Sequence, residues 1–227
     1  MTRSHAIRIA AAILALILAL AAGLVVPMIV RAHHVANDLP HNDWLGLRAD
    51  PAPGVLARCA LGTARSVDGG TSVWAAVAGE QALDIIQVGA RITPDGRRRF
   101  FAAWGRGVPN GVGSLYEERD LGATDRNAHK YTVQLINGAW SLSIDGSTRL
   151  RVPDTFRTWP MRSSQVQHET ESAADPFGGT RANPVKCSRA RTYSGAWVLP
   201  AWSMVGYGAK AAAAQSAFGR DWFAVWR

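Results

Sequence analysis

The chain is poor in the residues that build cofactor and metal sites. Its 227 residues include only two cysteines and six histidines. No C-x-x-C pair or Cys/His spacing suggests a zinc site, so no metal and no cofactor is expected. The Gly-rich run from Gly105 to Gly113 has no Gly-Lys-Ser/Thr and no following helix, which excludes a phosphate-binding loop. No heptads and no internal repeats are present. Sustained helical periodicity is missing after residue 30, apart from a short Ala-rich stretch at 209–217. An acidic surplus is also missing, since the formal net charge is +8.

One long apolar run is present, from Ile9 to Val30, with Arg3 and Arg8 before it and Arg31 after it. As a helix it would be about 33 Å long, close to the hydrocarbon thickness of a bilayer. The flanking charges favour a cytoplasmic N-terminus and an exported remainder, hence a single-pass cell-membrane protein with a signal-anchor. The rival is a signal peptide cleaved near Val30-Arg31-Ala32, which would make the protein secreted. The division expected is an anchor over 1–31, a polar tether over 32–54 rich in Pro, Asp and Asn, and an extracytoplasmic domain over 55–227. An even pair of cysteines in an oxidising compartment implies a disulfide between Cys59 and Cys187. The basic clusters, Arg97-Arg98-Arg99 among them, read as solvated strand ends. No nucleic-acid module is visible.

The exported part alternates with the period of strands. From Leu83 to Ile92, Ile86, Val88, Ala90 and Ile92 take one face, while Gln87, Gly89 and Arg91 take the other. Asn137-Gly138 sits between two alternating runs, a type I′ hairpin signal. Phe100, Ala102 and Trp104 share one face of a third run, and Gln165, Gln167, Glu169 and Glu171 share one face of a fourth. Short strands separated by turns predict an all-β fold, a two-layer antiparallel sandwich of jelly-roll type. An immunoglobulin-like sandwich is the alternative, but the cysteines lie too far apart for it.

The series TSVWAAVAG, DIIQVGA, FFAAW, YTVQLINGAWSLSIDG and QVQHETE resembles the strands of concanavalin-A-like sandwiches. More narrowly it is similar to the glutamic (eqolisin-type) peptidases and their secreted bacterial relatives, over residues 70–180. The resemblance implies a catalytic pair, with Gln87 of Gln87-Val88-Gly89 and Glu169 of the QVQHET segment matching the two family positions. A Glu acting as general base on a water, and a Gln amide stabilising the oxyanion, would hydrolyse a polypeptide. Trp74, Trp104 and Gln167 are expected nearby as substrate-binding residues. The chain departs from the peptidases where Thr170 follows Glu169 and where Gly105-Arg106-Gly107 replaces their acidic, aromatic segment. The rival function is a non-catalytic module for cell-wall glycan, with Trp74, Trp104 or Trp159 as stacking platforms. A glycosidase pair of Glu169 and Glu171 is disfavoured, since two residues on one strand cannot flank a bond from opposite sides.

Overall fold

A computed structural model describes residues 43–81, 83–106, 115–172 and 174–227. The expected anchor lies outside the described residues, as do residues 32–42 of the tether and 107–114 in the Gly-rich loop. Among the described residues no helix is long and apolar enough to cross a membrane.

Two antiparallel sheets face each other. The first has the order β13(Ser203–Tyr207), β1(Asp43–Ala49), β10(Ser163–Thr170), β3(Thr71–Ala78), β4(Ile85–Ile92), β5(Arg98–Arg106), β6(Leu115–Ala123). The second runs β14(Gln215–Gly219), β15(Trp222–Trp226), β11(Val185–Tyr193), β2(Gly54–Ala60), β7(His129–Ile136), β8(Ala139–Ile144), β9(Ser147–Pro153), with the short β12(Trp197–Val198) on β11. The described residues therefore form the expected sandwich. Each sheet contains a meander, β3–β6 in one and β7–β9 in the other. The β7–β8 turn is the one the sequence calls for, because Asn137 and Gly138 both have positive φ, 51° and 74°.

The alternation is resolved as the sequence implies. Val73, Val77, Ile86, Val88, Ile92 and Val166 point inward against Val55, Tyr131, Val133, Trp140, Leu142 and Phe223 of the other sheet. Gln87, Gly89 and Arg91 are left on the outer face of the first sheet. Cys59 and Cys187 sit directly opposite each other on β2 and β11 with Cα atoms 4.1 Å apart, and they are bonded.

Two expectations need correction here. Residues 43–49 are not tether but β1, hydrogen-bonded between β10 and β13. Leu45, Leu47 and Ala49 alternate with Trp44, Gly46 and Arg48, a strand period hidden among polar neighbours. The Ala-rich stretch is helical only over Ala209–Ala213, labelled α1, and from Gln215 it becomes β14 paired with β15. Sheet pairing overrides weak helix propensity there.

Candidate functional site

The outer face of the first sheet collects the polar groups. The pairing defines rows across it. In one row Gln165 of β10, Ala76 of β3, Gln87 of β4 and Ala103 of β5 are side by side; in the next stand Gln167, Trp74, Gly89 and Phe101. Glu169, Ser72, Arg91 and Arg99 make the third. Gly89 is small for a reason, since a Cβ there would lie 2.8 Å from Trp74 Cβ and 2.0 Å from the Val73 carbonyl oxygen.

Trp74 is buried, and its indole N–H donates to Glu169 Oε2 at 3.0 Å. That bond orients the carboxylate over the sheet. Gln87 is also buried; its Nε2 donates to the Tyr116 hydroxyl at 3.4 Å, while its Oε1 is buried with no hydrogen-bond partner among the described residues. A buried amide oxygen left so costs on the order of 1–3 kcal/mol, which a substrate N–H or a water would relieve. Gln167 continues a ladder of amides, donating to Gln165 Oε1 at 2.9 Å, and Gln165 donates to Ser163 Oγ at 2.8 Å. Its polar groups serve the strand itself.

Charge crowds this face. Arg91 is ion-paired with Glu118 and stands over the Phe101 ring, 5.8 Å from its centroid. Burial pushes the Glu171 carboxyl up to about 7, with the charges of Glu169 and Glu118 adding to it and Arg91 opposing. Part of Glu171 remains in solvent, so the energy behind that shift is screened. Burial of its hydroxyl raises Tyr116 well above the ordinary phenol range, reinforced by Glu118 and Glu169. The phenol therefore acts here as a neutral hydrogen-bonding group.

Of the residues expected from sequence, Gln87, Glu169, Trp74 and Gln167 share this outer face. Trp104 does not. It pairs with Ile86, whose side chain is in the core, and packs on the core side of β5. Phe100, Ala102 and Trp104 share one face, as their alternation implies, and it is the face opposite to Gln87. Trp159 is buried with its N–H on the Gly105 carbonyl at 3.0 Å, so it is no open stacking platform. Asp145 bonds the Lys130 N–H and the His129 ring, which makes it a turn cap. Sequence reasoning did not assign Tyr116, Arg91 or Glu118 to the site. The alternation of Tyr116, Glu118 and Asp120 along β6 was the signal available.

The row assignment also bears on the catalytic pair. Gln87 and Glu169 are two strands and four residues apart, so their Cα atoms are about 16 Å apart at standard spacings. Even side chains laid along the sheet towards each other, reaching about 5 Å each, leave at least about 6 Å between their ends, and side chains standing off the sheet leave more. One water joined to both by bonds of about 2.8 Å falls short of that gap. The residue in Gln87's own row is Gln165, an amide. Among the described residues, no group of three or more His, Cys, Asp or Glu side chains is placed to hold a metal ion.

Comparison with solved structures fits this architecture. Scytalido-glutamic peptidase, in complex with a peptide-based transition-state analogue, aligns with a TM-score of 0.53 at 12% identity, over 82% of this chain and 98% of that one. This chain has a concanavalin-A-like sandwich fold, similar to that of the glutamic peptidase. At that identity the likeness establishes the fold alone. Lower-scoring matches include a glycoside hydrolase family 16 endo-glucanase from Bacteroides ovatus, at TM-score 0.40 and 9% identity over 60% of this chain and 69% of that one. A Bacillus licheniformis beta-glucanase gives 0.36 at 13% identity over 79% and 70%. No family model matches the chain, and no curated protein matches it in sequence.

Proposed function

We propose that this outer sheet face is the active site of a glutamic-peptidase-like hydrolase acting on polypeptide. The observation that carries the reading is that Gln87 and Glu169 project from one face, the first with a carbonyl oxygen that no described residue partners, the second oriented by Trp74. The gap, at least about 6 Å and too wide for one shared water, leaves room for a water and a substrate carbonyl in series. Glu169 takes a proton from the water as general base; the water oxygen attacks the carbonyl carbon; the Gln87 amide N–H, now turned from Tyr116, donates to the oxyanion. Collapse of the tetrahedral intermediate returns the proton to the leaving amine. The glycan-binding alternative is weakened by the burial of Trp74 and Trp159, which leaves those indoles no open face for stacking on a sugar.

The test is hydrolysis of a denatured protein substrate between pH 5 and 8 by the full chain, Glu169→Gln and Gln87→Ala. Loss of an oxyanion donor costs about 10²–10³-fold in kcat, so each variant should fall at least a hundredfold. Equal rates for all three would end the hydrolase reading, and cell-wall glycan binding that survives Glu169→Gln would then identify a binding module.

We also propose that residues 9–30 anchor the domain outside the cytoplasm. The cross-strand disulfide supports an oxidising compartment. The protein should stay with membranes through alkaline carbonate extraction and keep Arg3 at its N-terminus; release and a new N-terminus near Ala32 would show a cleaved signal instead.

A further inference from the structure

A second polar site lies away from that face, at the end of the sandwich where three connections meet. A cavity of about 290 Å³ is lined by Gly62–Ser66 from the β2–β3 connection, Ile92, Gly96 and Arg98 from the β4–β5 hairpin, and Arg126 from the β6–β7 turn. Three arginines, Arg65, Arg98 and Arg126, line it, and among the described residues no carboxylate does.

The guanidinium groups there are unneutralised. Arg65 and Arg126 make no hydrogen bond or ion pair with any described residue. Arg98 is half-buried and donates one N–H to the Gly62 carbonyl at 3.0 Å, with no carboxylate partner. Burial, then the positive charge of Arg126, holds its pKa below the ordinary guanidinium value. The acidic residues closest in sequence are engaged elsewhere. Asp125 accepts from the Asn127 N–H at 2.6 Å and from His129 Nε2 at 2.9 Å; Asp95 binds Thr93 and Arg97. Asp175 accepts from the backbone N–H groups of Val67, Asp68 and Gly70 and from the hydroxyl of the lining residue Ser66, and it forms no ion pair with the three arginines. Like charges gathered around a concavity without counter-charge are stabilised by an anion, and planar forked donors favour phosphate or sulfate oxygens.

We propose that this cavity is an oxyanion-binding site, held by Arg65, Arg98 and Arg126 and taking a phosphate or sulfate group. Ile92 and the buried Ala64 close it on the core side, Arg98 is half-buried beside them, and Arg65 and Arg126 are exposed, within reach of an anion arriving from solvent. The cavity has room for the anionic group together with part of the molecule that carries it, whether a soluble ester or an anionic lipid headgroup.

The experiment uses the full chain in phosphatidylcholine nanodiscs. Arginines are modified with phenylglyoxal under increasing inorganic phosphate at constant ionic strength, and each site is read by peptide mass. Phosphate should protect Arg65, Arg98 and Arg126 saturably, while the exposed Arg149 reacts throughout. Arg126→Gln should raise the phosphate concentration needed to protect Arg98 about tenfold, and Arg98→Lys, which keeps the charge and the fold, should weaken protection of Arg126. Adding phosphatidylglycerol to the discs distinguishes the source. A headgroup that occupies the cavity raises the apparent phosphate constant, whereas an unchanged constant assigns a soluble anion. Protection that never saturates, that chloride reproduces, or that is identical in Arg126→Gln overturns the site.

Discussion

Replacing both Cys59 and Cys187 with alanine should lower the unfolding free energy by about 3–5 kcal/mol, the largest change expected from any pair of substitutions here. The bond joins residues separated by 128 positions, so it closes most of the domain into one loop. In the chain-entropy model a loop of that length is worth about 5 kcal/mol, because the cross-link denies the unfolded chain most of its extended conformations. Both cysteines are buried and lie on the paired strands β2 and β11, in the interior of the second sheet. The variant also loses packing there, and the two effects have the same sign. Urea unfolding of the oxidised protein beside the double variant measures the difference. The slope against urea should rise in the variant, since its unfolded state is more open. A loss under about 1 kcal/mol would mean that the bridge constrains little that the sheets do not already hold.

Acid should unfold the domain well before its carboxylates are fully protonated, and His168 is the reason. It is fully buried against Phe177, with Nδ1–H donating to the Ser72 carbonyl at 2.9 Å and Nε2 accepting the Gly178 N–H at 3.0 Å. That pattern requires the neutral ring. Burial pushes its pKa down to about 4, against a weaker upward pull from the Ser72 carbonyl. Between about 6.5 and 4 the unfolded chain takes up a proton that the folded one refuses. Stability is therefore complete above 6.5 and lost as pH falls towards 4, by about 3 kcal/mol. Asp175 adds to this at lower pH: burial raises its pKa, but its backbone hydrogen bonds outweigh burial and hold it below the usual carboxylate range. Its stabilisation disappears as that carboxylate protonates. Glu171 works the other way over pH 4.5–7, its raised pKa favouring the folded state in acid. Its partial exposure keeps that to about 1 kcal/mol, so His168 decides the sign. Urea midpoints from pH 7 to pH 4.5 should fall steadily in the wild type. His168→Leu should start lower, having left the Gly178 N–H and Ser72 carbonyl unpaired, but show a flatter profile. A wild-type profile flat over that range would remove the assignment. The same balance limits hydrolysis assays to pH values at which the fold survives.

The sequence by itself determined the class of fold, the faces of the strands and the bridge. Alternation fixes which side of a sheet a residue takes, because successive side chains point in opposite directions whatever the strand pairs with. That was enough to put Gln87 opposite in sense to Ile86 and Val88, and Gln167 and Glu169 on one side of β10. With only two cysteines, the partner of each had one candidate. The Asn137-Gly138 turn was legible because positive φ at both positions is costly for most residues.

Only the tertiary structure decided which faces look the same way and which residues stand in one row. Trp104 and Gln87 lie on adjacent strands, each correctly phased, yet one points into the core and the other away from it; phase along a single strand says nothing about its neighbour's. The row that sets Gln165 rather than Glu169 level with Gln87 depends on the offsets between β10, β3 and β4. Those offsets come from inter-strand hydrogen bonds between β10 and β3, about 90 residues apart in the chain, and between β3 and β4. The strand at 43–49 was obscured for a similar reason, since its hydrogen-bond partners are β10 and β13, both distant in sequence. The arginine-lined cavity could not be read from the chain at all. Its walls come from three connections, and each arginine taken singly looks like an ordinary solvated turn residue until folding brings the three around one hollow without a counter-charge.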